Sequence, residues 1–286
     1  MSENELKGRS ILLAGCGDIG TGLGERLHAR GAQVVGLRRK PENLPAEFEK
    51  LAGDFADPAS LASLKGRRFD HVVVTLTPTG YSDKAYAQAY VTGLRHLLAA
   101  LDPAPGHLLF VSSTSVYHQD DHKWVDETSP TEPTSFSGLR TLEAEQLVAT
   151  SGIPFVNVRF SGIYGPGRTR LLDQVRDGKA CGPGDRLYTN RIHRQDGVGF
   201  LEHLILMRER GEEMHDLYLA TDSHAATMWD VQSWLATKLG MDPFGLKTGP
   251  IPGRTSKRCR NGRLRDSGYK LLYPDFMRGY AELLES

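Results

Sequence analysis

Ser10-Ile-Leu-Leu-Ala-Gly-Cys-Gly-Asp-Ile-Gly-Thr-Gly-Leu-Gly-Glu-Arg-Leu27 is the stretch that decides the fold. Ile11, Leu12, Leu13 and Ala14 form an apolar run of the kind buried inside a parallel sheet, and Gly15, Gly17 and Gly20 follow at G-x-G-x-x-G spacing. Ile19, Leu23 and Leu27 then recur at helical spacing, and a second apolar run spans Gln33 to Leu37. The order is strand, turn, helix, strand. In such a unit Gly15 permits the tight turn, Gly17 lets a pyrophosphate approach the backbone, and Gly20 lets the helix pack close to its strand. Asp18, Ile19 and Gly20 open the helix, whose free amides and dipole face an anion. Gly15, Gly17, Asp18, Ile19 and Gly20 are therefore the expected dinucleotide contacts.

The end of the second strand indicates which dinucleotide. NAD selection places an acid about 20 residues beyond the turn, on the ribose 2′-hydroxyl. Arg38 and Arg39 stand there instead, followed by Lys40, with no acid before Glu42. Cations suit a 2′-phosphate, so NADP is expected ahead of NAD; a solvated basic loop is the alternative reading. Asp54 and Thr77, at the ends of the next two strands, complete the expected coenzyme contacts.

Lys plus Arg and Asp plus Glu both total 35 in 286 residues, so no net charge draws the chain to nucleic acid or an acidic membrane. Cys16, Cys181 and Cys259 are widely spaced and odd in number, which argues against a disulfide framework or zinc site and fits a reducing cytoplasm. No apolar stretch reaches the length of a membrane span.

Further apolar runs at Phe48 to Gly53, His71 to Leu76, Leu108 to Val111 and Phe155 to Phe160 alternate with helical patterns at Asp83 to Leu101 and Leu139 to Ala149. Strands and helices in this order predict an α/β, doubly wound, Rossmann-type parallel sheet. Asp57 before Pro58 reads as a helix N-cap, and Asn261 as another. Tyr81, Tyr86 and Tyr90 read as packing residues. Beyond Phe160 turns multiply, as in Gly182 to Asp185 and Thr248 to Gly253, with helical patterns at Val198 to Arg208 and Trp229 to Leu239. Residues 1–165 are expected to form the coenzyme domain and 166–286 mainly a smaller C-terminal substrate lobe, with a strand near 217–220 returning to the sheet.

The Gly15 motif, Gly53-Asp54-x-x-Asp57, Ser112-Ser-Thr-Ser-Val-Tyr117, Arg159-x-x-Gly-Ile-Tyr-Gly-Pro-Gly167 and Arg191-Ile-His-x-x-Asp196 together resemble the extended short-chain dehydrogenase/reductase family, in its NAD-dependent epimerase/dehydratase group. The resemblance spans nearly the whole chain in the right order. It implies a strand-end Ser, here Ser113, that positions substrate, and a Tyr-x-x-x-Lys pair whose phenol exchanges a proton as hydride moves to or from nicotinamide.

That pair is missing. The family's Tyr position falls on Ser137 and its Lys on Thr141; a shift by one residue gives Phe136 and Arg140, and no Tyr-x-x-x-Lys occurs elsewhere. An aliphatic hydroxyl is a far poorer base than phenolate. One reading is an oxidoreductase or epimerase whose acid/base has moved, with Ser113, Ser137 and His118 as the expected catalytic set and Tyr117, Tyr164 or His193 as further candidates, each of which also reads as structural. A second is a non-catalytic NADP-binding sensor or partner-docking module. A third, nucleic-acid binding through Arg254 to Arg265, is opposed by the neutral balance, and the expectation is no nucleic-acid or membrane partner. Tyr164, Arg168 and Arg191 are the expected contacts to a small-molecule substrate. The family's Arg-Asp-x-Ile-His reads Thr189-Asn-Arg-Ile-His193 here, which moves the cation from 189 to 191. By analogy with relatives, the helices at Asp83 to Leu101 and Leu139 to Ala149 would pair in a homodimer.

Overall fold

The computed structural model describes residues 4–249 and 255–285. Contacts divide it into two compact units: one comprises residues up to Val116, Thr131–Arg159 and Val198–Tyr218, and the other Tyr117–Pro130, Phe160–Gly197 and the chain from Leu219 onward.

A seven-stranded parallel sheet is built from β1 (Ser10–Ala14), β2 (Gln33–Arg38), β3 (Glu49–Ala52), β4 (His71–Val74), β5 (His107–Ser113), β6 (Phe155–Phe160) and β7 (Leu217–Ala220). Its order is β7-β6-β5-β4-β1-β2-β3. The strand order reverses between β1 and β4, the crevice where such sheets bind their ligands. β1 pairs with both neighbours, Leu12 opposite Val35 on one side and Val72 on the other. Ile11, Leu12, Leu13 and Ala14 are fully buried, as their uninterrupted apolar pattern requires.

The helices are α1 (Asp18–Ala29), α2 (Asp83–Tyr86), α3 (Leu94–Ala100), α4 (Phe136–Ala149) and α5 (Arg194–Glu209). The helix expected over Asp83 to Leu101 carries a π-helical stretch, Ala87–Gly93, between α2 and α3. α4 starts three residues before the expected Leu139, because Ser135 caps it by accepting from Gly138 N. Asp57 does cap a short 3₁₀ helix at Pro58–Leu64, accepting from Ala59 N at 3.0 Å. Asn261 precedes the helix Gly262–Asp266 but does not cap it; its amide instead donates to Thr221 O and Ser223 Oγ. Tyr81 corrects another expectation: it is 77% exposed, touching only the rings of Tyr86 and Phe136 among aromatic neighbours.

In the second unit, Leu172, Val175, Val231, Leu235, Phe276 and Leu283 form a separate apolar core. Cys16, Cys181 and Cys259 are free and buried. No described helix is long and apolar enough to cross a membrane. The turn expected at 248–253 lies outside the described residues from 250 on, as does Arg254.

α1 lies unusually close to the sheet. A Cβ on Gly24 would stand 2.7 Å from Leu13 Cδ1 and would enter the Phe48 ring. Gly24→Val is therefore expected to cost about 1–3 kcal/mol by overpacking, read as an earlier urea midpoint; an unchanged midpoint would show that the interface yields.

Candidate functional site

The first unit carries a groove of about 710 Å³ at the carboxyl ends of β1, β2 and β4. Gly15, Gly17, Arg38, Arg39, Asp54 and Thr77 all line it. Gly15 has φ +81°, a left-handed conformation that favours glycine, and its carbonyl accepts from Thr75 Oγ1 at 2.9 Å. A Cβ there would press on Thr75 O at 3.1 Å. Gly17 stands at the N-cap of α1, and no side chain caps that helix. A Cβ on Gly17 would meet nothing nearer than Gly15 O at 3.7 Å, so its outer face is open. An uncapped, open helix start is what a phosphate requires, and the donor set fits a dinucleotide.

Asp18, Ile19 and Gly20 form the first turn of α1. Ile19 is buried, and Gly20 faces Thr75 Oγ1, where a Cβ would stand 3.3 Å away. Arg38 donates from Nη1 to Cys16 O at 3.3 Å, across the mouth of the glycine turn. Arg39 and Lys40 are exposed. Asp54 Oδ1 accepts from Ala56 N at 2.9 Å, while Ser60 Oγ accepts from Asp54 N at 2.8 Å.

The start of α4 rests on the turn after β5, where a Cβ on Gly138 would collide with Ser115 O. Ser137 is buried there and shares a 3.1 Å hydrogen bond with Ser135 Oγ. Thr141 Oγ1 donates back to Ser137 O at 2.7 Å, and Ser113 Oγ accepts from Ser115 N at 3.1 Å. The hydroxyls of Ser137 and Thr141 are committed to local cap and backbone bonds, whereas Ser113 Oγ only accepts, and its O–H has no partner among the described residues. Beneath them Arg159 holds Glu145 through two hydrogen bonds, 2.9 and 2.6 Å, and Ser112 Oγ donates to Glu145 Oε1 at 2.5 Å. All three side chains are buried.

Tyr164, Arg168 and Arg191 come together in the second unit, where they line a cavity of about 740 Å³ with Arg170, Lys179 and Lys247. No carboxylate among the described residues lines it. Arg191 is the buried cation of the group: Nη2 donates to Thr189 Oγ1 at 2.5 Å, and Nη1 has no partner among the described residues. The sequence reading missed Asp222, 3% exposed, whose Oδ1 accepts from His224 N while Oδ2 has no partner. Burial pushes this carboxyl up to about 7, against the opposing pull of Arg191.

Three of the other acid/base candidates, Tyr164, Tyr117 and His193, are buried. Tyr164 is buried, stacked on Tyr280 and edge-on to His193, and burial raises its phenol. Tyr117 donates to Asp126 O at 2.8 Å. His193 is wholly buried, and burial lowers it to about 4. His118, in the second unit, is exposed. Arg258 stacks between Trp124 and Tyr188, and Arg260 lies over Trp124, so this part of the basic stretch covers aromatic surface.

A family model described as the NAD dependent epimerase/dehydratase family matches residues 11–180. A solved structure from Methylobacillus flagellatus that carries an NAD-dependent epimerase/dehydratase designation is 40% identical, with TM-score 0.82, covering 97% of this chain and 98% of that one. Protein YeeZ of Escherichia coli K12 is 27% identical over 280 residues, 93% of this chain and 97% of that protein. MoeE5, solved in complex with UDP-glucose and NAD, superposes with TM-score 0.79 over 97% of this chain and 98% of its own. At 22% identity that likeness is one of fold.

Asp222 makes stability depend on pH. Its folded value of about 7 lies above the unfolded value near 3.9, so its contribution is fully present below about pH 4 and is lost as pH rises through 7. Asp222→Asn is expected to be about 2–4 kcal/mol more stable than the parent at about pH 8 and equal to it at about pH 4. Parallel pH–stability curves for the two proteins would contradict this.

Proposed function

This chain belongs to the NAD-dependent epimerase/dehydratase family, and from that premise we infer that it binds NADP in preference to NAD and works on a small or nucleotide-linked carbonyl or sugar bearing an anionic group. The observation that carries the reading is a division of labour: an uncapped helix start beside Arg38 and Arg39 in one unit, and a cavity of cations without a carboxylate in the other.

When bound, the coenzyme supplies a hydride donor or acceptor. Gly15, Gly17 and the first-turn amides of Asp18, Ile19 and Gly20 hold its pyrophosphate, Thr77 and Asp54 line its path, and Arg38 and Arg39 meet the 2′-phosphate. Tyr164, Arg168 and Arg191 hold the substrate's anion. Ser113 positions the reacting group, and the imidazole of His118 exchanges the proton that phenol exchanges in relatives. Residues 166–286 supply most of this substrate lobe, and α2 to α4, with Tyr81 and the half-exposed Leu139, supply the face of a homodimer.

The hydroxyl of Ser137, tied to Ser135, favours a second reading, in which NADP is bound and sensed without turnover.

Replacing Arg38 and Arg39 together by Ala is expected to weaken NADPH at least tenfold by fluorescence titration and NADH hardly at all, since a charge-assisted contact is worth roughly 1.5–3 kcal/mol. Equal losses for both coenzymes would remove the NADP assignment. Following NADPH absorbance against a panel of nucleotide sugars and small carbonyls then separates the two readings: turnover lost in His118→Ala supports the relocated base, and tight NADPH binding without turnover on any substrate supports the sensor. Sedimentation at a single monomeric mass would reject the dimer.

A further inference from the structure

The sheet has a second pole, which the function above leaves unused. At the amino ends of β1, β4 and β5, opposite the glycine turn and wholly within the first unit, Arg9, Arg68, His71, His107, Arg208 and Glu209 line a cavity of about 420 Å³.

Two histidines form its floor. His71 and His107 pair across β4 and β5, are 1% and 3% exposed, and meet edge to face at 5.6 Å. His71 Nε2 lies 2.7 Å from Glu209 Oε1; a carboxylate only accepts, so that nitrogen carries the proton. His107 differs, because neither of its ring nitrogens has a hydrogen-bond partner among the described residues. Burial, then His71 and Arg208, press its basicity down to about 3. At neutral pH it is thus an uncharged ring with one N–H to donate.

The charges around it do not balance. Arg9 donates to Glu209 Oε2 at 2.5 Å and to Asp70 Oδ1 at 3.2 Å, and Asp70 Oδ2 accepts from Ser10 N at 2.8 Å. Both carboxylates are spent in these pairs. The side chains of Arg68 and Arg208 have no ion pair or hydrogen bond among the described residues. Three guanidiniums meet two carboxylates, which leaves one net positive charge, two guanidiniums without an ion pair, and the His107 ring and His71 Nδ1 unsatisfied among the described residues. No three His, Cys, Asp or Glu side chains of the described residues stand close enough together to hold a metal ion, which leaves an anion as the ligand that fits.

We propose that this cavity binds a small phosphate-type oxyanion, free or as the monoester of a small metabolite, through Arg68, Arg208 and the imidazole of His107. The site is independent of the coenzyme groove and of the substrate cavity, and stands whether or not the chain turns over a substrate. An unpartnered buried imidazole is costly, and an oxyanion oxygen would satisfy it.

Inorganic phosphate and glycerol 3-phosphate, titrated separately into the full chain, test this through the side-chain nitrogen resonances of His107 and His71. Saturable movement of the His107 signal is expected with at least one of them. Tighter binding of glycerol 3-phosphate assigns the site to a monoester, and equal or tighter binding of phosphate assigns it to the free anion. Arg68→Gln and Arg208→Gln alter exposed side chains and leave the fold intact; each is expected to weaken the response roughly tenfold or more. Arg170→Gln, in the other cationic cavity, leaves it unchanged. A His107 signal that moves with neither probe, or a response undiminished in the Arg68→Gln, Arg208→Gln double variant, overturns the proposal.

Discussion

Everything at the coenzyme groove depends on how closely α1 can lie on the sheet. Helix and sheet normally meet through side chains, but here Gly20 and Gly24 remove them from the contact face, and Leu13, Phe48 and Thr75 fill the space. Only at that separation can the glycine turn start at the end of β1 and deliver α1 with its first amides at the switch point of the sheet. The hydrogen bond from Thr75 Oγ1 to Gly15 O ties the turn to β4 from the other side. The open helix start is thus a consequence of packing: a helix held by its glycines has no capping side chain, and its first amides stay open.

A second anchoring fixes the far side of the same rim. Glu145 of α4 is gripped by Arg159 of β6 and by Ser112 of β5, all out of water. A buried pair of this kind is weak evidence for added stability, but losing one partner strands a charge at about 3–5 kcal/mol, so the register of α4 on its two strands is enforced. The helix that carries the family's acid/base position is therefore rigidly presented, yet Ser137 and Thr141 turn their hydroxyls to Ser135 and to the helix backbone.

Much of this was legible in the sequence, and the reason is periodicity. Buried parallel strands read as unbroken apolar runs, and the glycine spacing has one economical explanation, so the sheet, α1 and the groove follow from local pattern. What failed was whatever depends on partners distant in the chain. Asn261 has the composition of a cap, but Thr221 and Ser223 compete for its amide and win. Tyr81 looked like one of three packing tyrosines, yet it is exposed, a fact that the spacing of Tyr81, Tyr86 and Tyr90 does not contain. Asp222, in a stretch without a motif, gains its character only from burial near Arg191. His71 and His107 become a pair only because β4 and β5 are neighbours in the sheet.

Net charge was the least informative sequence quantity, because charges are sorted by position rather than averaged. Several carboxylates of the first unit are paired, as Glu202 is with Arg26 and Arg30, Glu49 with Arg67 and Asp83 with Arg140. Arg68 and Arg208, without an ion pair among the described residues, line a cavity. In the second unit Asp222 N donates to Arg191 O, but Asp222 Oδ2 and Arg191 Nη1 find no partner among the described residues, and burial keeps that carboxyl partly protonated at neutral pH. A fully ionised, well-paired aspartate would cancel the guanidinium and turn its field inward. A half-neutral one cancels less of the guanidinium's charge, so a chain with zero net charge still holds a locally positive cavity.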